Sequence, residues 1–310
     1  MVDTTRVDIT YSWSGLDLAG TLHLPDADPP HPAVLLMQGS GPTDRDSDGY
    51  FPPIRQAFLS RGLATYAFDK PGVGRSTGDW RDYALEGRAD QSVAALDMLT
   101  GHPLLDAARI GIWGHSQGGW LAQIIAGRIP DLPFAIASSG PSIDIEQQDL
   151  YGCEHTMRAG GHDDAEVGEA LGFLDAVHAA ARRGDPYRIV ETEILATARQ
   201  ARWYGSYLTI DDPESWAMVT RFVTEEFEPI EALTRIRCPY LAVYGGGDTL
   251  VPAWRSAEET GRALAEAGNT DATVVVFPNA DHRIRDVVMG EFATGYLDLV
   301  ADWAAKRAGL

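Results

Sequence analysis

The sequence predicts an α/β fold in which a mostly parallel, doubly wound sheet carries a helical insertion. Short apolar runs bounded by turn residues recur along the 310 residues, as is typical of strands buried on both faces of a parallel sheet. Helical patterns separate these runs, which predicts right-handed crossovers with helices on both faces of the sheet. The alternation stops between residues 141 and 233, where charged helical stretches replace strands, and then resumes. We therefore predict a core of residues 1–140 and 234–310 and a helical insertion of residues 141–233.

The predicted elements follow in chain order. Residues 6–11 and 16–24 alternate polar and apolar side chains around a turn at Ser14-Gly15, which predicts an N-terminal hairpin. The apolar runs that predict buried strands are residues 33–37, 64–68, 109–113, 134–137, 240–244 and 272–277. The helical patterns are residues 53–60, 84–99, 119–126, 165–182, 187–204 and 292–305.

The composition narrows the expected partners. The formal net charge is −20, from 45 acidic and 25 basic residues, so the surface repels nucleic acids and anionic membranes, and neither is an expected partner. Cys153 and Cys238 form neither a CxxC pair nor a zinc-binding pattern, and no metal or organic cofactor is expected. The N-terminal segment has no apolar signal core, and no run approaches the ~20 apolar residues of a membrane helix. We expect a cytoplasmic protein, with a homodimer left open.

The sequence Gly114-His115-Ser116-Gln117-Gly118 is the sharpest chemical signal in the chain. It matches G-x-S-x-G, in which a serine stands on a tight turn between a strand and a helix. Here the motif follows a predicted buried strand and precedes a predicted helix, which is the context that the motif requires. We predict that Ser116 is a nucleophile and that the helix behind it directs its positive end toward the reacting oxygen.

A serine hydroxyl needs a base, and the base needs an acid that orients it. His282 follows the strand at 272–277 and is the predicted base, whereas His115 adjoins the serine and is expected to point elsewhere. Asp248 follows the strand at 240–244 and is the predicted acid. The chain order Ser116, Asp248, His282 is the one known for strand-turn-helix serine hydrolases. Asp281, next to His282, is a less favoured alternative acid.

A negatively charged oxygen forms in acyl transfer and needs preorganised donors. We predict that the backbone N–H of Gln117 is one of them. The other is expected from the loop after the strand at 33–37, and within Gln38-Gly39-Ser40-Gly41 we assign it to the N–H of Ser40.

These segments resemble the α/β-hydrolase superfamily over most of the chain outside the insertion. Residues 69–76, DKPGVGRS, are similar to the D-x-x-G-x-G-x-S turn of these enzymes, and residues 237–252 match the usual segment that bears the acid. Residues 39–46, GSGPTDRD, resemble a loop of bacterial serine esterases related to acylaminoacyl peptidases and dienelactone hydrolases. The resemblance implies an α/β-hydrolase fold and a helical cap over the site. It also implies a hydrolase of carboxylic esters or related acyl bonds, with a small-molecule acyl substrate. Gln38 departs from members in which His-Gly opens the oxyanion loop.

Alternative functions use the same residues. The acyl group could pass to an alcohol, an amine or an internal nucleophile, as in an acyltransferase or cyclase, or the enzyme could hydrolyse a C–C bond. A non-catalytic small-molecule-binding protein is disfavoured because dead relatives usually lose one of the three residues. Trp203 and Tyr207 are the candidate pocket residues, with burial inside the insertion as the open alternative, whereas Trp216 is assigned to the core of the insertion.

Overall fold

A computed structural model describes residues 5–310 of the chain, and residues 1–4 of the N-terminal segment discussed above lie outside the described residues. One eight-stranded sheet has the order β1-β2-β4-β3-β5-β6-β7-β8. The pairs β1–β2 and β2–β4 are antiparallel, and all other neighbours are parallel. The predicted mostly parallel α/β sheet is confirmed. The strands are β1 (Thr5–Trp13), β2 (Leu16–Leu24), β3 (His31–Met37), β4 (Ala64–Phe68), β5 (Leu105–His115), β6 (Ala135–Ser138), β7 (Tyr240–Gly245) and β8 (Ala272–Phe277).

Helices cover both faces of the sheet, and every residue of β3, β4 and β7 is therefore buried. On one face, α1 (Phe51–Leu59) and α11 (Tyr296–Arg307) contribute to one apolar cluster. On the other face, α2 (Leu85–Thr100), α3 (Gln117–Arg128), α9 (Pro229–Arg235) and α10 (Ala253–Glu266) contribute to a second. The sheet is therefore doubly wound.

The segment between β6 and β7 is helical. Its helices are α4 (Ile145–Ala159), α5 (Asp164–Arg183), α6 (Tyr187–Val190), α7 (Ala196–Ala198) and α8 (Pro213–Val223), followed by α9. Helix α5 begins with a capping box between Asp163 and Glu166 and ends at Gly184, whose φ of 70° suits glycine. Two further apolar clusters lie within the segment, and Trp216 is buried in one of them, as predicted.

Two predicted helices have different bounds in the structure. The helix predicted over 187–204 ends at Ala198, after a π-helical turn at Glu191–Leu195. Tertiary contacts override helix propensity there, because the side chain of Arg199 donates to the carbonyl oxygen of Ile210 at 2.9 Å. The last helix begins at Tyr296 rather than at 292, because Phe292 pairs with Arg285 in a β-bridge.

The parallel strands place their carboxyl ends along one edge of the sheet. The loops that follow β3, β5, β7 and β8 carry Ser40, Ser116, Asp248 and His282, respectively. Ligands of open α/β sheets bind outside this edge. Within residues 5–310, every helix falls short of the length and apolarity that a bilayer-spanning helix requires.

Candidate active site

Ser116 occupies a strained turn between β5 and α3. Its φ is 56° and its ψ is −118°, which is a rare conformation for a residue that is not glycine. The flanking glycines allow the turn to close, because a Cβ atom at Gly114 would collide with the carbonyl oxygen of Gly118, and one at Gly118 with that of Met37. The hydroxyl is therefore held at the N-terminus of α3, where unpaired N–H groups and the helix dipole favour negative charge.

Asp248 and His282 are hydrogen-bonded. The distance from Nδ1 of His282 to Oδ2 of Asp248 is 2.7 Å, and the carboxylate is fully buried. The other oxygen, Oδ1, accepts hydrogen bonds from the backbone N–H groups of Leu250 at 2.7 Å and Val251 at 2.9 Å. Since an ionised carboxylate can only accept, the proton on Nδ1 faces Asp248, which leaves Nε2 as the basic nitrogen of the neutral ring.

Asp281, the alternative acid, serves its own loop instead. Its Oδ1 accepts hydrogen bonds from the backbone N–H groups of Arg283 at 2.8 Å and Arg285 at 2.9 Å. This carboxylate shapes the loop that carries His282 but makes no hydrogen bond to the imidazole among the described residues.

His115 packs against the ring of His282, with their centroids 4.9 Å apart. The ring of Tyr50 also packs against His115, with the centroids 4.7 Å apart, and its hydroxyl donates to the carbonyl oxygen of Arg283 at 3.1 Å. Burial, together with the nearby His282 and Arg283, holds the pKa of His115 well below its ordinary value. His115 is therefore a neutral ring that supports the loop of His282, in agreement with the expectation that it does not face the reacting centre.

The two predicted oxyanion donors lie beside Ser116. A Cβ atom built at Gly39 would lie 3.3 Å from Cβ of Ser116, so the loop after β3 approaches the serine closely. Ser40, Gln117, Ser116 and His282 line the same cavity. Within residues 5–310, no protein acceptor takes the backbone N–H of Ser40 or of Gln117, so both donors are free for a ligand atom.

Buried polar side chains hold the loop after β3 in place. Nε2 of Gln38 donates to the carbonyl oxygens of Phe68 at 2.5 Å and Asp44 at 3.1 Å. Nζ of Lys70 donates to the carbonyl oxygen of Gly41 at 2.8 Å and to that of Gly39. Gln38 therefore anchors the loop through its side-chain amide. This role accounts for a glutamine at the position where other members have the histidine of a His-Gly pair.

An ion pair joins the two loop motifs that the sequence singled out. The side chain of Arg45, from the loop after β3, contacts the carboxylate of Asp69, from the loop after β4, at 2.5 Å. The backbone N–H of Arg75 donates to the same carboxylate at 3.0 Å. Burial opposes ionisation of Asp69, yet the hydrogen bonds from Arg45 and Arg75 hold its pKa below the ordinary value.

Arg88 is a buried cation beside the serine turn. Its guanidinium donates to the side-chain oxygen of Gln117 and to the carbonyl oxygens of Tyr83 at 2.9 Å and Trp80 at 3.2 Å. It also lies against the rings of Trp80, at 5.5 Å, and Phe222, at 5.2 Å. Burial lowers the pKa of Arg88 to about 10. Arg88 thus fixes the side chain of Gln117.

A cavity of about 400 Å³ opens over Ser116, which is within the range of small-molecule sites. Tyr207 lines it, and its hydroxyl donates to the carboxylate of Asp149 at 3.1 Å. Its role as a substrate-pocket residue stays a prediction. Trp203 does not line it, so the prediction that Trp203 is a pocket residue is wrong. Its ring is buried in an apolar cluster of the insertion, and its indole N–H donates to Glu169 at 2.9 Å. The lining combines the sheet edge with the insertion and includes Trp80, Arg88, Trp120, Ile145, Gln148, Asp149, Leu208, Met218, Phe222, Leu250 and Val251.

Sequence reasoning missed Lys70 and Arg88. Lys70 lies within the glycine-containing turn motif of residues 69–76, which assigns it no contact, and Arg88 lies inside a helix whose pattern reveals no partner. One feature of the sequence could have drawn attention to Lys70: lysine is rare in this chain, which has only two, at positions 70 and 306. Among residues 5–310, no group of three or more His, Cys, Asp or Glu side chains could hold a metal ion.

Residues 13–298 match the Alpha/beta hydrolase family. The chain belongs to this family. The match spans the serine turn, the Asp248 loop and the His282 loop, and the α/β-hydrolase fold predicted from the sequence is thereby confirmed.

Several relatives of this α/β-hydrolase are named as hydrolases or esterases. It is 31% identical over 142 residues to 2,6-dihydropseudooxynicotine hydrolase of Paenarthrobacter nicotinovorans, covering 44% of this chain and 35% of that protein. It is 22% identical over 295 residues to a 31.7 kDa protein of the traX-finO intergenic region of Escherichia coli, covering 94% and 96%. Its fold is similar to that of the Pyrococcus furiosus esterase Pf2001, with a TM-score of 0.63 at 18% identity, covering 99% of this chain and 95% of that one.

Proposed function

We propose that this α/β-hydrolase cleaves a carboxylic ester or a related acyl bond through an acyl-enzyme on Ser116. The observation that carries the proposal is the hydrogen bond from His282 to the buried carboxylate of Asp248, in a loop that borders the same cavity as Ser116. That bond leaves Nε2 of His282 as the group that removes the proton of the serine hydroxyl.

In the proposed reaction, Oγ of Ser116 attacks the carbonyl carbon of the substrate while Nε2 of His282 takes its proton. The carbonyl oxygen becomes an oxyanion, and the free N–H groups of Ser40 and Gln117 stabilise it. The protonated His282, stabilised by Asp248, then gives its proton to the leaving alcohol. Water, activated by the same imidazole, hydrolyses the acyl-enzyme and regenerates Ser116.

The helical segment of residues 141–233 acts in this proposal as a cap that selects the substrate. Ile145, Tyr207, Leu208, Met218 and Phe222 belong to this segment and line the cavity. These side chains are apolar or aromatic, so they suit an apolar acyl or aryl group. Arg88 and Asp149 add one cation and one anion to the wall.

The test is the hydrolysis of a panel of p-nitrophenyl esters by the wild type and by Ser116→Ala. Removing the nucleophile is expected to lower kcat by several powers of ten, on the order of 10⁴-fold or more. Ser60→Ala, a change of the same size at an exposed position, should retain wild-type turnover. A wild-type kcat in the Ser116→Ala variant would contradict the proposal.

A further inference from the structure

Lys70 lies under the oxyanion loop, and its position is unusual for a lysine. The side chain is buried, and Nζ donates to two backbone carbonyl oxygens of one loop, those of Gly39 and Gly41. Within residues 5–310, none of the ion pairs with an N–O distance up to 4.0 Å involves Lys70. Burying an ammonium without an acidic partner is costly, and lysine is among the residues that are least often buried.

No ion pair offsets the desolvation cost of burying the ammonium of Lys70. Burial is the main cause that lowers the pKa of Lys70 well below its ordinary value, and the charge of Arg88 adds to the effect while Asp48 opposes it. The two carbonyl oxygens that accept from Nζ favour the protonated form, because an ammonium donates more strongly than a neutral amine. A methionine or leucine of similar volume would fill the same space at a lower desolvation cost. An apolar side chain could not make the two hydrogen bonds that the ammonium donates to the loop.

The carbonyl of Gly39 and the N–H of Ser40 belong to the same peptide group. A trans peptide is planar, and its C=O and N–H point in opposite directions. Because the ammonium of Lys70 holds the C=O of Gly39 on the interior side of the loop, the N–H of Ser40 is turned the other way. Ser40 lines the cavity beside Ser116, and its N–H has no acceptor within residues 5–310.

We propose that Lys70 is the positioning residue of the oxyanion hole: its ammonium orients and polarises the peptide group between Gly39 and Ser40. A hydrogen bond to an ionised donor is stronger than one between neutral groups. Bonding at the carbonyl end of a peptide also strengthens the donor at its N–H end, because linked hydrogen bonds polarise one another. Lys70 contacts no substrate atom in this account and acts through the backbone. The proposal rests on the proposed acyl hydrolysis.

The effect of Lys70 is specific to the transition state. The carbonyl oxygen of a bound ester carries little charge, whereas the oxyanion carries nearly a full one, so a better-oriented donor stabilises mainly the oxyanion. Loss of Lys70 should therefore lower kcat and leave KM nearly unchanged. Because the Ser40 N–H remains present but less well oriented, the loss should exceed tenfold and stay below the roughly 10²–10³-fold cost of deleting a whole oxyanion donor.

The experiment compares Lys70→Met with Lys306→Met, the same change at the exposed lysine of α11. For Lys70→Met we expect kcat to fall more than tenfold with KM within twofold of the wild type, and for Lys306→Met we expect no change in either. A boronic acid that forms a tetrahedral adduct with the serine should lose affinity in parallel with kcat. An unreactive amide analogue of the ester should bind as before.

Two further variants keep the test decisive if Lys70→Met does not fold. Lys70→Arg keeps a charged donor and Lys70→Gln keeps a neutral one, so the expected order of kcat is wild type, then arginine, then glutamine. Unchanged kcat in Lys70→Met or Lys70→Gln, or an unchanged affinity for the boronic acid, would overturn the proposal. If the wild type hydrolyses esters through Ser116 while these variants behave normally, only the role of Lys70 fails. An inactive wild type would instead contradict the proposed function.

Discussion

The buried carboxylate of Asp248 accepts a hydrogen bond from Nδ1 of His282 at 2.7 Å. Its other oxygen is held by two backbone N–H groups of its own loop, so the carboxylate cannot rotate away from the imidazole without losing them. This arrangement fixes both the tautomer and the orientation of the ring.

We expect Asp248→Asn to lower kcat by about 10³–10⁴-fold, because an amide that presents its N–H₂ group to Nδ1 stabilises the wrong tautomer of His282. Ester-hydrolysis kinetics measure this change. Asp281→Asn is the matched control, since its side-chain oxygen can still accept the bonds from Arg283 and Arg285. If Asp281→Asn is the inactive variant and Asp248→Asn is active, the acid is assigned to the wrong residue.

From the ion pair between Arg45 and Asp69 we predict how the free energy of unfolding depends on pH. The folded state holds the pKa of Asp69 below the ordinary value of 3.8, so the carboxylate stabilises the fold above that pH. The stabilisation is lost as the pH falls through the folded pKa. Asp69→Asn should cost about 2–4 kcal/mol of unfolding free energy at neutral pH, and the difference from the wild type should shrink below pH 3.8.

Denaturant unfolding at several pH values measures this effect, with the exposed Asp97→Asn as a control that should change stability by less than about 0.5 kcal/mol. A pH-independent difference for Asp69→Asn would show that the carboxylate is not preferentially ionised in the folded state.

Arg88→Met should destabilise the protein by about 2–4 kcal/mol, because it leaves the oxygens of Gln117, Tyr83 and Trp80 without their donor. Arg81→Met is a matched control, since Arg81 also lies against Trp80 but is largely exposed. Thermal and denaturant unfolding measure both. Equal stability of the Arg88 and Arg81 variants would argue that the buried guanidinium makes no net contribution.

Tyr207 and Trp203 should respond differently to removal of their rings. Tyr207→Ala enlarges the cavity over Ser116, so we expect KM to fall for esters with bulkier acyl groups relative to short ones. Trp203→Ala opens space in an apolar cluster behind the cavity wall, against which Tyr207 and Leu208 pack. It should cost about 3–5 kcal/mol of stability and change acyl selectivity less than Tyr207→Ala does. A selectivity change in the Trp203 variant alone would mean that the pocket lies elsewhere.

The sequence predicted most of the sheet because its strands are buried on both faces and are therefore continuous apolar runs, as at β3 and β7. It predicted that Ser116, Asp248 and His282 lie close together because each follows such a run and parallel strands end at one edge; their catalytic roles stay a prediction. The prediction for Trp203 failed because the sequence of a helical segment does not distinguish an aromatic side chain that faces a cavity from one that is buried in a core. The sequence could not reveal the roles of Lys70 and Arg88, since these depend on contacts with loops far away in the chain.

The central claim is that the hydroxyl of Ser116 is an activated nucleophile. The most direct measurement is mass spectrometry of the wild type after reaction with a fluorophosphonate probe, which bonds covalently to activated serines. We predict one label per chain, on Ser116, and its loss in the His282→Ala variant. A fully reacted protein with the label on another residue, or an unlabelled protein that still hydrolyses esters, would contradict the account.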